Sequence, residues 1–285
     1  MDHLLSEITI STQIERLSAI VSDVIREDHF QKLGLHVKNL NLEAAQSDFF
    51  KPLTDDFLAR HPLSGKNISS DRPKWMPVNR LGRIVTNLGR HIAWLKRDNI
   101  VYGGTLIDTT SWYNVNDNSL IPLADVYDLK GLGLERGRHS LDAVFHCTDQ
   151  GFPHVIMVAR WNKESYAGER DLMRHELLYM LRAMEVRHDE EVFKRGEPQP
   201  VLLISFLAPQ HARVLQAYIK DGTRLVIGRS RKYAFEKGTG SFELFVRWLL
   251  ATPVGVEPVE VPCIGSSSNN VGSSKVFNFR PRLWK

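Results

Sequence analysis

Acids, bases and cations able to do chemistry crowd into the middle of the chain, between residues 142 and 232. Asp142, Glu169 and Glu176 supply carboxylates, His175 and His211 imidazoles, Gln210 an amide, and Arg160 and Arg213 guanidinia. Imidazole titrates near neutrality and suits general acid–base work, whereas a guanidinium keeps its charge and grips oxyanions in a planar fork. Arg224, Arg229, Arg231 and Lys232 extend the cationic set. Two chemistries follow: proton transfer on a small molecule, or handling of phosphates.

Several motifs are excluded by their spacing. His175-Glu176 opens like a zinc-protease helix, but the position four after the histidine is Tyr179, so the second imidazole ligand is missing. Gly65-Lys66-Asn67 lacks the earlier glycine and the hydroxyl of a phosphate loop. Gly131, Gly133 and Gly137 miss the dinucleotide spacing, and no Gly-x-Ser-x-Gly elbow occurs.

The elements that must position these residues are read from periodicity. Residues 141–147 and 154–161 are apolar runs separated by a Gly- and Pro-bearing connector, which predicts adjacent strands of one sheet. The second is nearly continuous in apolar residues and is expected to be buried on both faces. Leu172, Met173, Leu177, Met180, Leu181 and Met184 recur at spacings of three and four, predicting a helix over 167–185 with Ser165 and Glu169 near its start. Residues 201–207 form the strongest strand. Asp221-Gly222 then separates 214–220 from 223–228, the signature of a hairpin whose central residues take positive φ. Upstream, Leu81, Ile84, Val85, Leu88, Ile92 and Leu95 predict a helix over 77–96, with Arg80, Arg83, Arg90, Lys96 and Arg97 forming its polar side. Residues 1–28 contain an amphipathic helix carrying Ile14, Leu17, Ile20, Val21 and Val24, and a weaker helical pattern runs through 42–57. Residues 100–113 read as strand-like, and 242–250 as a short closing helix with Ser241 as its cap.

The expected fold is therefore α/β or α+β, with a mixed central sheet flanked by helices. Its expected parts are an N-terminal helical extension (1–75), a core (76–252), and a connector and tail packed on the core (253–285). The tail, 275–285, alternates aromatic and basic residues after a Gly/Ser/Asn run at 265–274.

This arrangement resembles the PD-(D/E)XK nuclease-like family, in which a helix precedes a strand meander, one strand bears an acid and the next an acid-x-lysine triplet. A helix and a further strand follow. On that resemblance Asp142 takes the first acidic position and Val158-Ala159-Arg160 the triplet, so this chain has valine for the second acid and arginine for the lysine. The resemblance implies nucleic acid as partner, a divalent metal such as Mg as cofactor with Asp142 as ligand, and phosphate contacts from Arg160, Arg213, Arg224, Arg229, Arg231 and Lys232. Two carboxylates ordinarily hold such an ion, so the substitutions imply weakened or lost cleavage. Residues 200–218, followed by Asp221-Gly222, also look like a block shared by a group of filamentous-fungal proteins, a resemblance that brings no activity with it.

With 285 residues, 42% hydrophobic and 25% charged, the chain has ordinary globular composition, and its net charge of +4 permits a polyanionic partner without requiring one. Cys147 and Cys263 lie far apart and outside any metal-spacing motif, which fits a reducing compartment. Without a cationic-then-apolar leader or a bilayer-length apolar run, an intracellular protein, cytoplasmic or nuclear and free of the membrane, is expected. Three readings stay open. The first is a nucleic-acid-binding nuclease-like protein with impaired cleavage. The second is a small-molecule enzyme of fungal secondary metabolism, with Asp142, Arg160, His175 and His211 converging on one pocket. Glu169, Glu176, Gln210, Arg213, Arg229 and Arg231 are the candidate substrate contacts. The third is a protein-interaction module.

Overall fold

The computed structural model describes residues 10–62, 77–100, 103–115, 127, 129–135, 137–147, 151–164, 167–190, 193, 198–222, 224–235 and 240–259. A mixed sheet runs through its centre. Strands β1 (Val24–Ile25), β2 (Leu35–Asn39), β3 (Phe50–Lys51), β4 (Tyr113–Asn114), β5 (His139–Cys147) and β6 (Phe152–Glu164) come first in the chain. Then follow β7 (Leu172–Met173), β8 (Val201–Ala208), β9 (His211–Lys220), β10 (Arg224–Arg229), β11 (Tyr233–Ala234) and β12 (Thr252–Pro253). The central sheet has the order β2-β10-β9-β8-β6-β5-β4, with β11 paired to part of β9. Two junctions, β2 with β10 and β6 with β8, are parallel, and the others are antiparallel.

Helices cover both faces. α3 (Pro77–Gly89) and α5 (Gly240–Leu249) pack on one, and α4 (Arg174–Asp189), itself covered by α1 (Ile10–Ser18), on the other. α2 (Asp55–Arg60) sits beside α5. Strand alternation sorts the core in two: Ile156 and Val158 face α3, while Val155, Met157 and Ala159 face α4. All eight residues of β8 are buried, as their unbroken apolar run predicts for a strand covered on both sides.

Other expectations meet local chemistry that overrides them. The N-terminal helix stops at Ser18, and Val21, expected on its apolar face, is 95% exposed. Ser22 bonds to both polar groups of the Val24 backbone, and Val24–Ile25 then pairs with Leu172–Met173. That pairing also delays the helix expected at residue 167. Asp171 instead accepts the Gly168 and Glu27 amides, and α4 begins only at Arg174. The first turn is tied by Glu176, which accepts the Met173 amide at 2.8 Å. Tyr113 begins β4, but residues 103–112 of the stretch expected as strand-like are not a strand: Asp108 accepts the Thr105 amide and hydroxyl, and the Thr109 and Thr110 hydroxyls bond back to the Leu106 and Ile107 carbonyls. Such side-chain bonds compete with a ladder.

The region expected as a helical extension supplies an edge strand, β2, and residues 42–57 hold a turn, β3 and the start of α2 rather than one helix. α3 passes into a π-helical turn, Arg90–Trp94, and Arg97 leaves the basic side to bond the His91 and Leu95 carbonyls from a buried position. Ser241 lies inside α5 rather than capping it, its hydroxyl bonded to the Ala234 carbonyl. Cys147 is buried. Cys263 and the tail at 265–285 lie outside the described residues.

Asp221 and Gly222 both take positive φ, 54° and 66°, as the hairpin signature requires. The register pairs Lys220 with Arg224, so the loop holds three residues rather than two. A Cβ at Gly222 would meet nothing within 4 Å. Gly222→Ala is therefore expected to cost ~1 kcal/mol through backbone conformation alone, seen as a lower urea midpoint with unchanged m-value; an unchanged midpoint would contradict the strain argument.

Candidate functional site

Adjacent strands bring Asp142 and Arg160 together. Ser140 pairs with Arg160 and Leu141 with Ala159, and a register shift then intervenes before Ala143 meets Val158. At this irregularity Arg160 Nε and Nη2 donate to the two Asp142 carboxylate oxygens at 2.6 and 2.7 Å. Ser140 Oγ adds a bond at 3.2 Å. The carboxylate side chain is 4% exposed and the guanidinium 20%, so the pair presents its cation outward. Gly82 of α3 leaves room for it, since a Cβ there would lie 3.1 Å from Arg160 Nη1. Burial pushes the Asp142 carboxyl above its ordinary value, a rise the Arg160 bonds and charge oppose.

His175 does not join them. It follows from strand alternation that Trp161 points away from Arg160 toward α4, and His175 stacks on Trp161 at 5.2 Å with 13° between planes. His139 stacks beyond it at 6.1 Å, and the Tyr179 hydroxyl bonds His139 Nδ1. Neither ring nitrogen of His175 has a partner, the residue is 1% exposed, and burial lowers its pKa to about 4. It is a neutral core imidazole out of a ligand's reach. The expected convergence of Asp142, Arg160, His175 and His211 thus does not occur, because the first two lie on the α3 face and His175 on the α4 face.

Beneath α4 lies a second ion pair. Arg213 Nε and Nη2 donate to both Glu176 oxygens, Nη1 reaches the Asp171 carbonyl at 2.7 Å, and both side chains are fully buried. Burial alone would raise Glu176; the Arg213 charge and hydrogen bonds outweigh it and hold the carboxyl below its ordinary value. Expected as substrate contacts, these two residues instead lock β9 to the start of α4. His211, two positions before Arg213, shares its face of β9 and is partly exposed, and Gln210 lies in the turn between β8 and β9.

Glu169, Arg229 and Arg231 do come together, at a different place. They line a cleft of about 490 Å³ with Asn39, Asn41, Glu43, Arg170, Ser230 and Tyr233. It opens where the parallel strands β2 and β10 end, the edge at which open α/β sheets place ligands. Glu43 accepts from Arg231 at 2.7 Å and from the Tyr233 hydroxyl at 2.8 Å, and Glu169 accepts the Lys232 amide at 2.6 Å. Arg224 is exposed at the opposite end of β10. Residues 35–39 were missed as a strand, although their alternation of Leu35 and Val37 with polar neighbours was a signal.

A divalent ion does not fit these donors. Asp142 spends both oxygens on Arg160, and Val158 offers none. Among the described residues no group of three or more His, Cys, Asp or Glu side chains is arranged to hold a metal, and no helix is long and apolar enough to cross a membrane. No protein-family model, curated protein or solved structure matches the chain.

Proposed function

We propose that the chain is a nuclease-like protein that binds nucleic acid through its phosphates, with phosphodiester cleavage weakened or lost. The observation that carries this reading is the Asp142–Arg160 pair on neighbouring strands, with a guanidinium seated on the carboxylate that would otherwise take a metal. The order α3, antiparallel β4–β5–β6, α4, then β8 parallel to β6 supports it, because it follows the helix–meander–helix–strand succession of the family resembled. An arginine here keeps phosphate affinity, since its charge is permanent and its side chain is 20% exposed, while withholding the activated water that cleavage requires.

The test is binding of labelled DNA and RNA over a salt series. Affinity is expected to fall linearly with salt on logarithmic axes, Arg160→Gln to weaken it about ten-fold, and added Mg to yield no cleavage product. Absence of binding at about 50 mM salt would overturn the reading.

A further inference from the structure

Arg229 is 7% exposed and lines the cleft, yet among the described residues its one hydrogen-bond partner is the Arg170 carbonyl, reached from Nη1. The carboxylates whose charge reaches it, Glu27 and Glu169, make their contacts elsewhere, Glu27 with Arg170 at 3.6 Å and Glu169 with the Lys232 amide. The Arg213 guanidinium nearby is matched by Glu176, so Arg213 brings no acid to Arg229. A charge this far from water ordinarily has a counter-ion, because leaving it unpaired costs several kcal/mol.

We propose that this cleft is a binding site for a small ligand bearing one phosphate monoester, held by the Arg229 guanidinium. One buried guanidinium with no ion-pair partner among the described residues calls for one anionic group. About 490 Å³ is more than bare phosphate fills and within the range of sites that enclose a nucleotide-sized molecule. The carboxylates of Glu43 and Glu169 along the walls repel a second phosphate and accept from hydroxyl or amino groups, which suits a phosphorylated sugar and disfavours a continuous polyanion. Position agrees, since the ligand sits at the carboxyl ends of two parallel strands. The site is independent of the nucleic-acid reading: β9, β8 and β6 separate it from the Asp142 strand in sheet order.

Calorimetric titration of the full chain with inorganic phosphate, ribose 5-phosphate, adenosine 5′-monophosphate and adenosine tests it. Both phosphate esters are expected to bind more tightly than inorganic phosphate, and adenosine not at all; the tighter ester identifies the body carried. Arg229→Gln is expected to weaken the esters about ten- to hundred-fold. Because Arg229 is buried and its variant can misfold, Asn39→Asp, at an exposed lining position, provides a second variant; its added negative charge is expected to weaken them several-fold. Arg160→Gln is expected to leave ester binding unchanged, which separates this site's failure from that of the nucleic-acid surface. Adenosine binding as well as its monophosphate, esters no better than inorganic phosphate, or indifference to both cleft variants would each overturn the proposal.

Discussion

Arg213→Met is expected to lower the stability of the chain by ~3–5 kcal/mol, the cost of leaving a buried carboxylate without its cation. Both side chains of the Arg213–Glu176 pair have zero exposure, and Glu176 also ties the Met173 amide at the start of α4. Loss of the guanidinium therefore strands a charge and loosens the attachment of α4 to β9. Glu176→Leu is expected to be comparably damaging, since the buried guanidinium then loses its counter-charge. The double variant Glu176→Leu with Arg213→Met should recover most of the loss, because neither charge then needs solvation. Urea denaturation of the four proteins forms the cycle that measures this. Additive losses would show that the two residues act separately and would remove the lock assigned to them.

Acidification is expected to unfold the protein between about pH 6 and pH 4. Four histidines are buried as neutral rings: burial lowers His91, His154 and His175 to about 4 and His146 to about 3. The Arg97 charge adds to the effect at His91, and that of Arg187 at His146. Their folded values lie below the unfolded value of 6.5, so between the two the unfolded chain binds more protons. The stability they contribute is complete above pH 6.5 and is lost as pH falls toward 4. A ten-fold change in proton affinity is worth ~1.4 kcal/mol, so even half the nominal ~3 kcal/mol per ring, over four rings, rivals the ~5–15 kcal/mol net stability of a typical domain. Glu43 and Glu176, held low by Arg231 and Arg213, lose their contribution at still lower pH, whereas Asp142, raised by burial, works in the opposite sense. Denaturant midpoints measured from pH 7.5 to 4 check this. A flat profile down to pH 4.5 would mean that the rings are not buried neutral.

The neutral state of His175 also explains why the site looked different along the chain than in space. In sequence, Asp142, Arg160, His175 and His211 appear as one catalytic set. Whether they meet depends on the face each takes, and a register irregularity near Asp142 together with the delayed start of α4 decides that. Residue type marked Glu176 and Arg213 as functional candidates, but their mutual burial makes them structural. Glu169, Arg229 and Arg231 were named as contacts without a location, and β2 supplies the other wall.

Local periodicity and turn chemistry determined the β5–β6 hairpin, the buried β8, the Asp221-Gly222 turn and the apolar stripe of α3, because each depends on residues a few positions apart. Tertiary structure alone decided the pairing of β2 with β10, of β1 with β7, the Arg213–Glu176 lock and the placement of Arg229 in the cleft. These join segments tens to nearly two hundred residues apart, where no spacing rule reaches. The energies that select them, a shared ladder or a charge matched away from water, exist only once both partners have been brought together.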